Sequence, residues 1–271
     1  MSHDLKEIKE YLQLHADLGI TEIFSSVPEH IFEKTKTFAI VRAKKKAGDS
    51  PTPVVSSMPL VKTPALVETA QKSCDNIGSL EELKAAIVAF DGSDLKKMAT
   101  NLVFSDGNPG AKVMIIGEAP GADEDREGKP FVGMSGKLLD RMLSTIGLAR
   151  EKNIYITNIL PYRPPGNRTP TPAEMAVFRP FIIKHIELIA PKILILVGAT
   201  ALKTILQKDL PITKMHGVWN DFTIGSHTIK TIPLYHPAYV LRSPLQKRTV
   251  WQDLLEIQDK IDSWIVNTFP L

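Results

Sequence analysis

Four stretches in the second half of the chain are short, apolar and rich in Ile, Val and Leu. They are AKVMIIGEAP (111–120), NIYITNILP (153–161), KILILVG (192–198) and HTIKTIPLYHP (227–237). Each runs unbroken and then stops at Gly, Asn or Pro, the pattern of a strand buried on both faces. Between them lie SGKLLDRMLSTIG (135–147), TPAEMAVFRPFIIKHIELI (171–189) and ATALKTIL (199–206), which carry helical patterning. Strand alternating with helix predicts an α/β fold: a three-layer α/β/α sandwich with a four-stranded, mainly parallel sheet, over about residues 79–271. Its first helix is predicted at Ser79, where Ser79 and Glu82 have the spacing of a capping box ahead of LEELKAAIVAF.

The first part of the chain reads differently. Leu5, Ile8, Leu12 and Leu14 fall at near-helical spacing, and a second short helix is expected after Pro28. Residues 1–43 are too few for a stable domain and read as a helical appendage, a possible docking element for a protein partner. Residues 44–66 are rich in Pro, Ser, Thr and Lys without a period, which predicts a flexible linker.

Composition narrows the class. With 43% hydrophobic residues the chain can bury a core, and no apolar run is long enough to span a bilayer. The charged N-terminus does not resemble a signal peptide, so a cytoplasmic protein is expected, acting as a monomer. Net charge is +3, compatible with nucleic acid without implying it. Cys74 is the single cysteine, which excludes an intrachain disulfide and an all-cysteine cluster.

Ligands of open α/β sheets bind beyond the carboxyl ends of the strands. Just past the four predicted ends stand Gly117-Glu118-Ala119, Asn158, Gly198 and His236. Glycines at 117 and 121 permit close backbone approach, but their spacing fits neither dinucleotide nor triphosphate loops. Asp123, Asp125 and Glu127 are expected on a solvated acidic loop. Phe131 sits in a loop rather than on a helical stripe. Arg163, Asn167 and Arg168 lie on a proline-held loop suited to phosphate contact. Leu241 and Arg242 could enter a duplex, and Lys247 and Arg248 extend the basic stripe.

GEAPGADEDREGKPFVGMSGKLLDRML, TNILPYRPPGNRTPTPAE and HPAYVLR resemble, in order and spacing, the three signature segments of the uracil-DNA glycosylase superfamily, above all its family 4 branch. The resemblance covers about residues 90–256. It implies removal of uracil from DNA, the start of base excision repair. It implies that Glu118 and Glu124 are the acidic positions of the first motif, either of which could handle the water. Phe131 is implied to stack on the base and Asn158 to read its edge. Gly117, Ala119 and Asn167 are implied to line the pocket, and His236 to stabilise the departing base. Arg163, Arg168, Leu241, Arg242, Lys247 and Arg248 are expected to face DNA. One departure is large. The four cysteines that hold an iron–sulfur cluster in family 4 fall near Phe90 and Ser93, at Tyr162 and at Phe178, and none is cysteine here. No metal and no cofactor are therefore expected, with Tyr162 and Phe178 filling by packing the place the cluster would hold.

Overall fold

The computed structural model describes residues 62–268. The predicted helices of residues 1–43 and most of the predicted linker lie outside these residues. The linker does not run to 66, because α1 (Lys62–Ser73) is helical from Lys62 and packs on α6 (Pro172–Ile189). Its Pro64 disguised it, yet a proline in the first helical turn interrupts no hydrogen bond that the turn would make. The folded unit thus includes Lys62–Ser73, ahead of the expected start at 79.

Half of the predicted capping box forms: Ser79 Oγ accepts from the Glu82 N–H at 3.1 Å and starts α2 (Leu80–Ala89), while the Glu82 carboxylate accepts from the Gly78 N–H at 2.7 Å and not from Ser79. A short α3 (Leu95–Met98) leads into the sheet. The four predicted strands are all present as β2 (Val113–Gly117), β3 (Ile154–Asn158), β4 (Ile193–Val197) and β6 (His227–Leu234), parallel to one another in the order β3-β2-β4-β6. The sheet is wider than expected. A two-residue β1 (Asp106–Gly107) and the hairpin strand β5 (Asn220–Ile224) add antiparallel edges, giving six strands among the described residues.

Alternation along each central strand feeds two cores. Met114, Ile116, Tyr155, Leu194 and Leu196 face α1, α2, α6 and α7 (Ala199–Leu206). Val113, Ile115, Ile154, Ile156, Ile193, Ile195 and Ile232 face α5 (Met134–Ser144), the short α8 (Ile212–Met215), α9 (Pro237–Arg242) and α10 (Lys247–Thr268). Successive side chains of a strand point to opposite faces, so only a sheet covered on both sides can use runs this apolar. The chain is therefore the three-layer α/β/α sandwich. Among the described residues no helix is long and apolar enough to cross a membrane.

Candidate active site

The parallel register sets the site. Gly117 at the end of β2 pairs with Asn158 at the end of β3, and β4 and β6 deliver Gly198 and His236 alongside. A side chain at Gly117 would collide with both the Asn158 amide and the Phe131 ring, which meet above its bare Cα. Glycine is required there by close approach. Phe131 is buried and its ring centroid lies 5.8 Å from that of His236. Asn158 is only 5% exposed, and its amide has no hydrogen-bond partner among the described residues. No buried polar side-chain atom among the described residues lacks a partner, so this amide is reached from the site; open beside an aromatic face, it is prepared for a planar polar ligand.

His236 caps α9, and its Nδ1 accepts from the Ala238 N–H at 3.2 Å. In the neutral ring the proton then belongs on Nε2, which becomes a donor. Burial pulls its pKa down to about 4, Arg242 pushes the same way, and Glu124 opposes them weakly. The ring is thus neutral at physiological pH. Gly198, at φ 95, takes a backbone conformation open to glycine and leaves room for the imidazole: a Cβ there would sit 3.3 Å from His236 Cβ.

The two carboxylates separate. Glu124 is 8% exposed and saturated: Oε2 accepts from Gly121 N–H at 3.0 Å, and Oε1 from Val132 and Gly133 N–H at 3.0 and 2.9 Å. Its oxygens hold the backbone on both sides of the loop. Glu118 is half-buried, and among the described residues its carboxylate takes one hydrogen bond, from Thr200 Oγ1 to Oε2 at 2.5 Å, leaving Oε1 open. Thr200, in the first turn of α7, is a site residue that pattern reading missed. The acidic stretch is not a solvated loop throughout. It folds into α4 (Ala122–Glu127), and Asp125 is buried, accepting from the Thr100 and Asn101 N–H groups at 2.9 and 3.1 Å.

Some of the expected residues have neighbours away from this cluster. Ala119 is half-buried and packs against the core on the α6 side. Asn167 is exposed on the turn Pro165–Asn167, and its Oδ1 accepts from Arg163 Nε at 2.7 Å. Arg168 is held in a two-pronged pair by Glu174, at 2.8 and 2.6 Å. By contrast Arg242 and Arg248 are exposed and Lys247 is half-buried. Leu241 is 41% exposed, but Leu245 in the turn Pro244–Gln246 stands out at 91%.

A match to the uracil DNA glycosylase superfamily covers residues 104–255, more than half of the chain, and contains all of these site residues. The chain belongs to the uracil-DNA glycosylase superfamily. It is similar to the type-4 uracil-DNA glycosylase of Archaeoglobus fulgidus, 39% identical over 66% of this chain and 92% of the relative. The type-4 uracil-DNA glycosylase of Thermotoga maritima is 41% identical over 57% of this chain and 80% of the relative. A DNA polymerase of Bacillus phage SP01 is 32% identical over 59% of this chain but only 17% of its own length.

Against the family 4 resemblance, the cluster positions can be tested directly. The rings of Phe90 and Tyr162 lie 6.2 and 6.4 Å from that of Phe178, and Phe181 joins them, 5.1 Å from Phe90. Ser93 Oγ accepts from the Leu95 N–H at 3.3 Å. Three edge-packed aromatic rings and a hydroxyl supply no thiolate, so these residues do not fit an iron–sulfur cluster. Among the described residues no group of His, Cys, Asp or Glu could hold a metal ion. Cys74 is buried, and desolvation pushes its thiol up to about 11, away from the thiolate form a metal needs.

Proposed function

We propose that this chain binds uracil-containing DNA, takes the uracil as a flipped-out nucleotide and hydrolyses its N-glycosidic bond, the opening step of base excision repair. The observation that carries the reading is the amide of Asn158, open to the site and without a partner among the described residues, beside the face of Phe131 and the ring of His236. A base inside a duplex is out of reach and must be extruded. Phe131 offers it a stacking face, which offsets part of the unstacking cost. Asn158 matches the N3–H donor and O4 acceptor of uracil with its own acceptor and donor. As the bond to C1′ breaks, its electron pair goes to the base, and negative charge grows on the uracil O2. A neutral His236 with its proton on Nε2 donates to that oxygen. Glu118, oriented by Thr200, has a free oxygen to hold the incoming water and favour the positive sugar. Water adds at C1′, leaving an abasic sugar and free uracil.

Supporting the DNA side, Arg242, Lys247 and Arg248 place positive charge around an exposed Leu241 and a protruding Leu245, which suits phosphate contact around an apolar wedge. Arg163 and Arg168 are engaged by protein partners and contribute less.

The deciding experiment is incubation with oligonucleotides carrying one uracil, with free base measured by chromatography. Release of uracil at catalytic enzyme concentrations is expected. A retarded complex without free uracil would mean a binding protein instead. We further propose that no cofactor takes part. Because aromatic packing fills the cluster positions, the purified chain is expected to be colourless, free of iron and unaffected by chelators. Stoichiometric iron with visible absorption would overturn this.

A further inference from the structure

Phe131 stands at φ 55. A bulky side chain rarely adopts this left-handed conformation, and such strain persists only where the surroundings over-determine it. Two charged side chains do so here, on opposite edges of the same backbone. Glu124 takes the N–H groups of Val132 and Gly133. Arg150, beyond α5 and just before β3, takes the carbonyls. Its Nη1 donates to the Pro130 oxygen at 2.7 Å and its Nη2 to the Phe131 oxygen. The guanidinium is fixed in turn by Asp140 on α5, at 2.8 Å from Nε, and by Asp106 on β1, at 3.1 Å from Nη1. The arginine side chain is 11% exposed. Gly136 completes the seat: a Cβ there would collide with the Phe131 carbonyl.

We propose that Arg150 is a positioning residue for base stacking, its planar fork locking the Phe131 backbone in the left-handed conformation that lays the ring beside Asn158 and His236. The proposal rests on the reading of Phe131 as the face that receives the base. All three guanidinium nitrogens donate, in four hydrogen bonds: two to backbone carbonyls and two to carboxylates. A lysine ammonium carries the same charge but cannot span that set with fixed directions. Arg150 touches neither base nor sugar, so its effect must pass through Phe131.

The test is a cycle of Arg150→Lys, Phe131→Ala and the double variant, read by single-turnover release of uracil and by DNA affinity. Arg150→Lys is expected to slow release by up to roughly 5- to 150-fold, the range set by loss of one base–aromatic stack, with affinity for uracil-free DNA unchanged. In the Phe131→Ala background the same substitution should add less than about twofold, because coupled residues are not additive. If the two effects multiply, or if Arg150→Lys alone leaves the rate intact while Phe131→Ala slows it, the proposal fails and the stacking reading stands. If Phe131→Ala releases uracil at the parent rate, both fail. Should Arg150→Lys not fold, Asp140→Ala loosens the fork from a half-exposed position. It is expected to slow release only while Phe131 is present, and an unchanged rate would overturn the proposal.

Discussion

Replacing His236 with alanine is expected to slow uracil release by about a hundred- to a thousand-fold, the usual effect of losing one donor to a developing oxyanion. Binding of uracil-free DNA should stay close to the parent, because the ring lies inside the pocket rather than among Arg242, Lys247 and Arg248. The effect has a particular pH signature. An imidazole ordinarily titrates near 6.5, but burial first, and Arg242 second, lower this one to about 4. The neutral, Nε2-protonated form therefore persists well below neutrality. The acid limb of the rate profile that belongs to His236 should fall near 4 rather than near 6.5. Stability follows the opposite bookkeeping. Between these values the unfolded chain binds a proton that the folded chain refuses, so this residue makes stability fall as pH drops through the window and leaves it flat above. Single-turnover rates of parent and variant across this range, with thermal melts at each pH, check both halves. A variant rate within about threefold of the parent would remove His236 from the chemistry, since a donor to the departing base cannot be worth so little.

Hydrogen bonding supports Glu118 over Glu124 for the water, a choice the sequence could not make beyond a preference for the strand-end Glu118. Glu124 and Glu118 are six positions apart, Glu118 directly after the strand-end Gly117 and Glu124 three residues after Gly121. Only the fold reveals that Glu124 spends both oxygens on three backbone N–H groups, whereas Glu118 keeps one free. A carboxylate that already accepts three donors is a poor candidate for handling water, and a good one for holding a loop.

What the chain declares openly is what repeats at short range. The four central strands are legible because burial on both faces demands unbroken apolar runs, and their polar ends mark the site by the topology of open sheets. The helices Pro172–Ile189 and Ala199–Leu206 are legible from their caps and period. β5 escaped because an edge strand needs only one buried face: NDFTI buries Phe222 alone, although the Gly225-Ser226 turn ahead of β6 was a usable hairpin signal. Asp125 escaped because its partners, Thr100 and Asn101, lie far back in the chain. Arg150 escaped for the same reason. In the string ARE it looks like any surface charge, and its partners Pro130 and Phe131 are about twenty residues away across α5. Charged residues that serve the backbone of distant loops leave no periodic trace.

Asn158→Asp is expected to exchange base preference, with the largest loss falling on uracil. The parent residue is 5% exposed, its amide has no partner among the described residues, and it is seated against Gly117 beside Phe131. Facing uracil, its oxygen accepts from N3–H and its nitrogen donates to O4. Cytosine reverses both groups, offering an acceptor at N3 and a donor at the 4-amino group. Each buried mismatch costs on the order of 1–3 kcal/mol, so two together discriminate against cytosine by roughly a hundred- to ten-thousand-fold. An ionised aspartate offers acceptors alone: it keeps the bond from N3–H, sets oxygen against O4, and adds negative charge to a base that is about to become an anion. Uracil release should therefore fall by about a hundredfold or more. A protonated aspartate has an O–H donor beside an acceptor oxygen, the complement of cytosine. Slow cytosine release should then appear in the variant and grow as pH falls, up to the point where His236 itself takes a proton near 4. The assay compares U·G and C·G oligonucleotides with parent and variant from neutral to acid pH. Full uracil activity in the variant would detach Asn158 from the base edge, and the proposed pocket at the end of β3 would fall with it.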